Sequence, residues 1–291
     1  ISSRLLASAE IIISEWGLEN AVWYSNNKNE NQKHIVRIHS QEIRPRARKM
    51  TSKINQAGCD KIIFVAKHIR ERAIEIFNWD MENIILIPNY VNVNRFNLIK
   101  NKDSKFKLGI VGVVPQSKRL DIAFDIISRL NEIDGDWELI VKGKTHRNLE
   151  FMKGGSRKKE YEWFEDQFQK LEQNVSLQDA VTFQPHSRPI NIWYREIAYV
   201  LSLSDWESFH YSVAEGVASG AIPLIKKWEG SENIYNEDWI FDSSEEIVDE
   251  IIRMSKINDD KIEEIKQKNL DYIYKNYSLN VILESWKSLL L

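Results

Sequence analysis

Residues 199–225, YVLSLSDWESFHYSVAEGVASGAIPLI, decide the fold class of this chain. Tyr199, Val200, Leu201 and Leu203 make a short apolar run with β-favouring members, the pattern of a buried strand. A polar turn at Ser204–Asp205 follows, with Trp206 and Glu207 behind it. From Tyr211 to Ser219 the spacing of Val213, Ala214, Val217 and Ala218 gives a helix one small apolar face. Gly220 stops that helix where a left-handed backbone is easiest for glycine. Ala221–Ile225 is the next buried strand. Strand, loop, helix and strand in this order form the repeating unit of a parallel α/β sheet.

Such a unit suits a particular ligand. A helix N-terminus at the carboxyl end of a parallel strand presents free N–H groups and a positive dipole, which suit a phosphate. Glu207 stands before that terminus and Glu215 inside it, eight positions on. Neither carboxylate grips a phosphate, but both can accept hydrogen bonds from hydroxyls beside it, a ribose on one side and a sugar on the other. A sugar nucleotide has that layout.

The pair Glu207 and Glu215, with Phe209 between them and an alanine- and glycine-containing helix after, resembles the E-x7-E signature of retaining glycosyltransferases of the group 1 family. The resemblance implies an α/β chain of GT-B architecture, two Rossmann-like domains whose parallel sheets face a central cleft. It implies that Glu215 holds the ribose hydroxyls, that Glu207 contacts the transferred sugar, and that backbone N–H groups of Ser208–Ser212, including Phe209, His210 and Tyr211, meet the donor. The family usually has glycine where this chain has His210.

The rest of the chain fits this frame. At 291 residues it suits one large or two medium domains, and no apolar run approaches the length of a membrane span. The single cysteine, Cys59, excludes an internal disulfide and a cysteine-based metal site, and fits a reducing compartment. No signal peptide is visible, so the expected location is the cytoplasm or the inner face of its membrane. Residues 1–100 carry 15 Lys and Arg against 10 Asp and Glu, whereas residues 101–291 carry 25 against 33. A basic half and an acidic half point to two domains with different partners.

ISSRLLASAEIIISEWG reads as the end of a helix entering a strand at Ile11–Ser14. The family's opening strand and glycine-containing loop are missing ahead of it, so the amino-terminal domain is expected to be incomplete. His34–Ser40 reads as a buried strand, and His39 at its end matches the family histidine that approaches the transferred sugar. Arg44, Arg46, Arg48 and Lys49 form a basic cluster that an anionic acceptor, an anionic membrane surface or plain solvation would each explain. Nucleic acid is disfavoured, because neither interleaved aromatics nor a binding motif accompanies these charges. Further strands are expected at Ile62–Ala66 and within Asn83–Phe96, where Pro88–Asn89 resembles the family's exit from the first domain. The polar stretch Asn101–Lys107 places the boundary near residue 100.

The second domain is expected to span 101–275. It opens with a strand at Leu108–Val114 and a helix at Leu120–Leu130, with Lys118 and Arg119 at the helix entrance. Two cations there suit a departing nucleoside diphosphate, whose leaving oxygen gains charge as the glycosidic bond breaks. Lys118, six after Gly112, agrees with the family's glycine–lysine element, while Val113 replaces the family's usual arginine and leaves that charge to Arg119. Asp134-Gly-Asp136 superficially matches the D-x-D metal motif of the other glycosyltransferase architecture, but it precedes a strand and reads as turn chemistry. Residues 180–187 read as a short strand, and His186 is where the family faces the base. The closing helix, 276–291, is expected to pack back on the first domain through Trp286, Leu289 and Leu290.

The expected activity is therefore transfer of a hexose-type sugar from a UDP- or GDP-sugar to a glycan or lipid-linked hydroxyl acceptor, without a metal or other cofactor. A paired-carboxylate hydrolase needs its carboxylates about 5 Å apart, which a loop and a helix residue at this spacing supply poorly. A non-catalytic sugar-nucleotide-binding or scaffold domain of a larger assembly is the rival reading. A phosphorylase or epimerase would keep the phosphate cations but have less use for the two glutamates.

Overall fold

The computed structural model describes residues 2–186 and 189–290. Ser187, the last residue of the strand read at 180–187, lies outside the described residues. The chain divides into two compact units. The first comprises residues 1–89, Glu207–Phe209 and 282–291; the second comprises 90–206 and 210–281. The division at Asn89–Tyr90 falls ahead of the polar stretch 101–107. That stretch packs on the second unit, where Asn101 N–H donates to the Arg195 carbonyl and Ser104 is buried.

The first unit holds a four-stranded parallel sheet made of β1 (Ile11–Ser14), β2 (Lys33–Ile38), β3 (Lys61–Phe64) and β4 (Ile84–Leu86), in that spatial order. The apolar runs of β2 and β3 are buried on both faces, as parallel strands require. The carboxy-terminal helix Leu279–Leu290 reaches this sheet. Its Ile282 packs with Ile35, Ile63 and Ile87, and Trp286, Leu289 and Leu290 flank that cluster. Arg44, Arg46, Arg48 and Lys49 are all exposed.

The second unit holds six parallel strands: β5 (Lys107–Val111), β6 (Glu138–Lys142), β7 (Val181–Gln184), β8 (Tyr199–Ser202), β9 (Ile222–Lys226) and β10 (Ile240–Phe241). Their order is β10-β9-β8-β5-β6-β7. Leu108 pairs with Tyr199 and Gly109 with Val200, so β8 lies directly beside β5. The strand after the central turn begins at Ile222, one residue later than the sequence suggested, because Ala221 still bonds back to Gly216. Gly220 has φ +78, the left-handed stop its position called for. Asp134–Asp136 forms a turn on the way into β6. The core is built by Leu108, Leu139, Leu201 and Leu224 from the sheet, against Ile126 and Leu130 of the helix Leu120–Ile133 and Ile251 of the helix Ser244–Ser255.

The helix Tyr211–Ala218 lies on β8 at unusually short range. A Cβ at Gly216 would stand 2.6 Å from Val200 Cγ1, a distance real side chains do not tolerate. Only glycine allows the backbone this near, and that proximity sets the height of Ser212 and Glu215 above the strand.

Candidate functional site

From the β5–β8 pair the sheet is built outward in two directions, through β6 and β7 on one side and through β9 and β10 on the other. Where strand order reverses, the loops leaving adjacent strands part, and open α/β sheets bind ligands at the carboxyl ends of that pair. Gly112 follows β5 with φ +71, and a Cβ added to it would find nothing within 4 Å. Gly143 follows β6 with φ +131, its Cβ position 3.6 Å from Gly112 Cα. Two glycines side by side thus keep the floor of this region free of side chains. Lys142, just before Gly143, is buried and donates from Nζ to the Pro185 carbonyl at 2.8 Å.

The loops after β5 and β8 are tied together. Asp205 N–H donates to the Ser117 carbonyl at 2.8 Å, and Arg119 reaches Asp205 at 3.0 Å and Asp121 at 2.8 Å. Arg119 itself sits in the left-handed region, φ +57, between the short turn Gln116–Lys118 and the helix Leu120–Ile133. Lys118 and Arg119 are both half-buried. Their surroundings differ from what the sequence suggests, because the Arg119 fork is occupied by two carboxylates and fastens one loop to the other.

His210 also adopts the left-handed conformation, φ +54, immediately before the helix Tyr211–Ala218. The backbone shape that glycine would take freely is therefore kept by a histidine. Its contacts include one from His210 Nδ1 to Ser202 Oγ at 2.6 Å and one in which the Tyr235 hydroxyl donates to the His210 carbonyl at 3.1 Å. Tyr211 is exposed, and Ser212 is buried with its hydroxyl lacking a hydrogen-bond partner among the described residues. An unmatched buried hydroxyl in the first turn of a helix is unfavourable in the free protein and offers a donor to any oxygen that approaches it.

Glu215 lies one turn further along, half-buried. The hydroxyl of Tyr194, itself fully buried, stands 3.2 Å from Glu215 Oε2 and 3.1 Å from the Ser212 carbonyl, with one proton to share between them. Burial pushes the Glu215 carboxyl up to about 7, against the opposing pull of the Tyr194 hydrogen bond and the Arg95 cation. Tyr194 is raised well above its ordinary value, by burial first and by the Glu215 charge second. Sequence reading missed Tyr194 and Arg95. Neither stands in a motif of its own, and each is brought to Glu215 by packing.

Of the other residues read as functional, Glu207, Phe209 and His39 belong to the first unit and His186 to the second. Glu207 is half-buried, and its carbonyl accepts from His68 Nε2 at 2.7 Å, a second contact the sequence did not disclose. Phe209 is fully buried. His39 follows β2, its ring 4.5 Å from that of Trp16, with Nε2 3.7 Å from Glu15 and Nδ1 3.8 Å from Glu42. His186 is exposed at the end of β7. Among the described residues, no group of His, Cys, Asp or Glu is arranged to hold a metal ion. No described helix is long and apolar enough to cross a membrane.

Two Rossmann-like units with parallel sheets, the second carrying a reversal of strand order beside a glycine floor, define the GT-B fold. Solved glycosyltransferase structures share it. TarM of S. aureus, in complex with UDP and α-GlcNAc-glycerol, superposes with a TM-score of 0.70 at 19% identity over 98% of this chain and 56% of its own. HepE of Anabaena, in complex with UDP, gives 0.79 at 13% identity over 99% of this chain and 81% of its own. The carboxy-terminal domain of the group 1 protein LpcC from Francisella tularensis gives 0.51 at 24% identity, over 65% of this chain and 99% of that domain. The chain thus spans little more than half the length of TarM. No protein-family model and no curated protein sequence matches this chain.

Proposed function

We propose that this chain transfers a sugar from a nucleoside-diphosphate sugar to a hydroxyl acceptor, with retention at the anomeric carbon, in the synthesis of a glycan or cell-surface polysaccharide at the cytoplasmic side of the membrane. The observation that carries this reading is the helix start at 210–215. It places an unmatched buried hydroxyl, Ser212, one turn from a half-buried carboxylate, Glu215, at a reversal of strand order. In this reading the N–H groups and hydroxyl of the first turn receive a phosphate, and Glu215 accepts from the ribose hydroxyls. Gly112 leaves room for the donor, and Lys118 carries the countercharge for the departing diphosphate. Arg119 takes the supporting part of holding the two loops in register, since its fork is already filled. Glu207 orients the transferred sugar and His39 polarises it, as the group 1 resemblance implies. The UDP in the complexes of TarM and HepE supports a nucleotide donor here.

Calorimetric titration with UDP and GDP, without added metal, tests the donor half. One nucleotide should bind the wild-type chain at micromolar concentration and fail to bind Glu215→Ala. UDP-glucose turnover by wild type and Glu207→Ala tests the catalytic half. Turnover lost in the variant with nucleotide affinity retained supports transfer. Nucleotide binding without any turnover in wild type would identify a binding module instead.

A further inference from the structure

The first unit contains a buried polar cluster centred on Glu42. This carboxylate is wholly buried. Its Oε1 accepts from the Gly17 N–H at 3.2 Å, and its backbone carbonyl accepts from the Thr51 hydroxyl at 3.1 Å. The same hydroxyl lies 2.9 Å from the Gly17 carbonyl, so Thr51 staples the two loops together. A Cβ at Gly17 would come within 2.1 Å of Ile38 Cδ1, which presses this loop onto the end of β2. Oε2 of Glu42 has no hydrogen-bond partner among the described residues.

A buried carboxylate with an unmatched oxygen is unfavourable unless a cation-capable group stands beside it. The cation-capable group beside this carboxylate is His39, whose Nδ1 lies 3.8 Å from the other oxygen, Oε1, and itself lacks a hydrogen-bond partner among the described residues. The other nitrogen faces Glu15 at 3.7 Å, but Glu15 is half exposed and already paired with Arg37 at 2.5 Å. Trp16 covers the imidazole face at a centroid distance of 4.5 Å. The ring is thus bounded by one buried carboxylate on its Nδ1 side and an indole on one face.

We infer that Glu42 is a positioning residue for His39, holding the imidazole in the Nδ1–H tautomer with Nε2 directed away from the buried carboxylate. The inference rests on the proposed role of His39 toward the transferred sugar. Glu42 touches no substrate; it acts by fixing which ring nitrogen carries the proton and where the ring points, as carboxylates do behind other functional histidines. A closing movement of about 0.6–0.9 Å would bring Nδ1 within hydrogen-bond range of Oε1.

Long-range ¹H–¹⁵N spectra of the free full chain, with His39 assigned by His39→Gln, give the tautomer directly. The expected result is Nδ1–H in wild type and in Glu15→Gln, and loss of that preference in Glu42→Gln, whose amide can offer Nδ1 a donor instead. An Nε2–H ring in wild type overturns the inference without any variant, and so does an unchanged tautomer in a folded Glu42→Gln. The second readout is hydrolysis of UDP-glucose. Glu42→Gln should lower kcat about tenfold and leave KM within about twofold, the pattern of lost alignment without lost binding. A tautomer that shifts while kcat stays unchanged, in a chain where His39→Ala abolishes turnover, also overturns it. If His39→Ala itself retains full turnover, the role proposed for His39 fails, and the spectra alone still decide whether Glu42 fixes the ring.

Discussion

Replacing Glu215 with glutamine should stabilise the protein in alkali while removing its nucleotide affinity. Burial raises the Glu215 carboxyl from 4.5 to about 7, so the folded chain holds a proton there that the unfolded chain releases between those values. The sign follows from linkage. Between 4.5 and about 7 the native state binds more protons than the unfolded state, and stability falls as pH rises. At pH 8 the ionised carboxylate costs about 3 kcal/mol relative to a neutral group in the same place, and at pH 5 the cost shrinks to about 1 kcal/mol. Glutamine is neutral at both and can still face the Tyr194 hydroxyl. Urea denaturation of wild type and Glu215→Gln at pH 5, 6, 7 and 8, compared pairwise so that other titrations cancel, should show the variant gaining with pH. A difference that is flat with pH, or a variant less stable at pH 8, would refute the argument that burial dominates at this carboxylate. A site that gains stability on losing its charge is the usual signature of a group kept for binding.

The first unit should respond to acid in the opposite sense. His34 is buried, hydrogen bonded to Ser14, and lowered by that burial from 6.5 to about 4. Stability is therefore lost as pH falls below 6.5, by about 2 kcal/mol at pH 5, and the denaturant midpoint for exposure of Cys59, followed by dithiodipyridine labelling, should fall accordingly. In the native state Cys59 should resist iodoacetamide at pH 8, because burial and the neighbouring Asp60 push its thiol up to about 12. Gly216→Ala should destabilise by about 1–3 kcal/mol through its collision with Val200, and adding Val200→Ala should restore part of the loss in a double-mutant cycle. His210→Gly should stay within about 1 kcal/mol of wild type, since easier left-handed backbone offsets the lost bond to Ser202, whereas His210→Ala should be less stable than His210→Gly by about 1 kcal/mol.

Much of the second unit was legible in the sequence because its signals are local. The apolar run at 199–203, the small-residue helix face and Gly220 each act over one or two turns, and the strand–helix–strand unit stands as they imply. The helix at 2–8 and the strand Ile11–Ser14 were equally readable. Strand ends were read too long, as at 108–114, where β5 stops at Val111 because Gly112 turns away into the left-handed region. Arg119 shows a different kind of gap. Its charge was visible beside a helix start, but the carboxylates that occupy it include Asp205, which no sequence spacing connects to it.

The sequence alone determined which segments become strands and helices and which side chains carry charge, since those follow from periodicity, turn chemistry and residue type. It also placed Glu207 and Glu215 at a loop and a helix. The tertiary structure decided that β8 lies beside β5, which brings Ser117 of the loop after β5 against Asp205 of the turn after β8. It decided that Tyr194 meets Glu215 and that Glu42 stands behind His39. Those facts depend on pairing between segments far apart in the chain, and a parallel strand's apolar run carries no mark of which neighbour it will join.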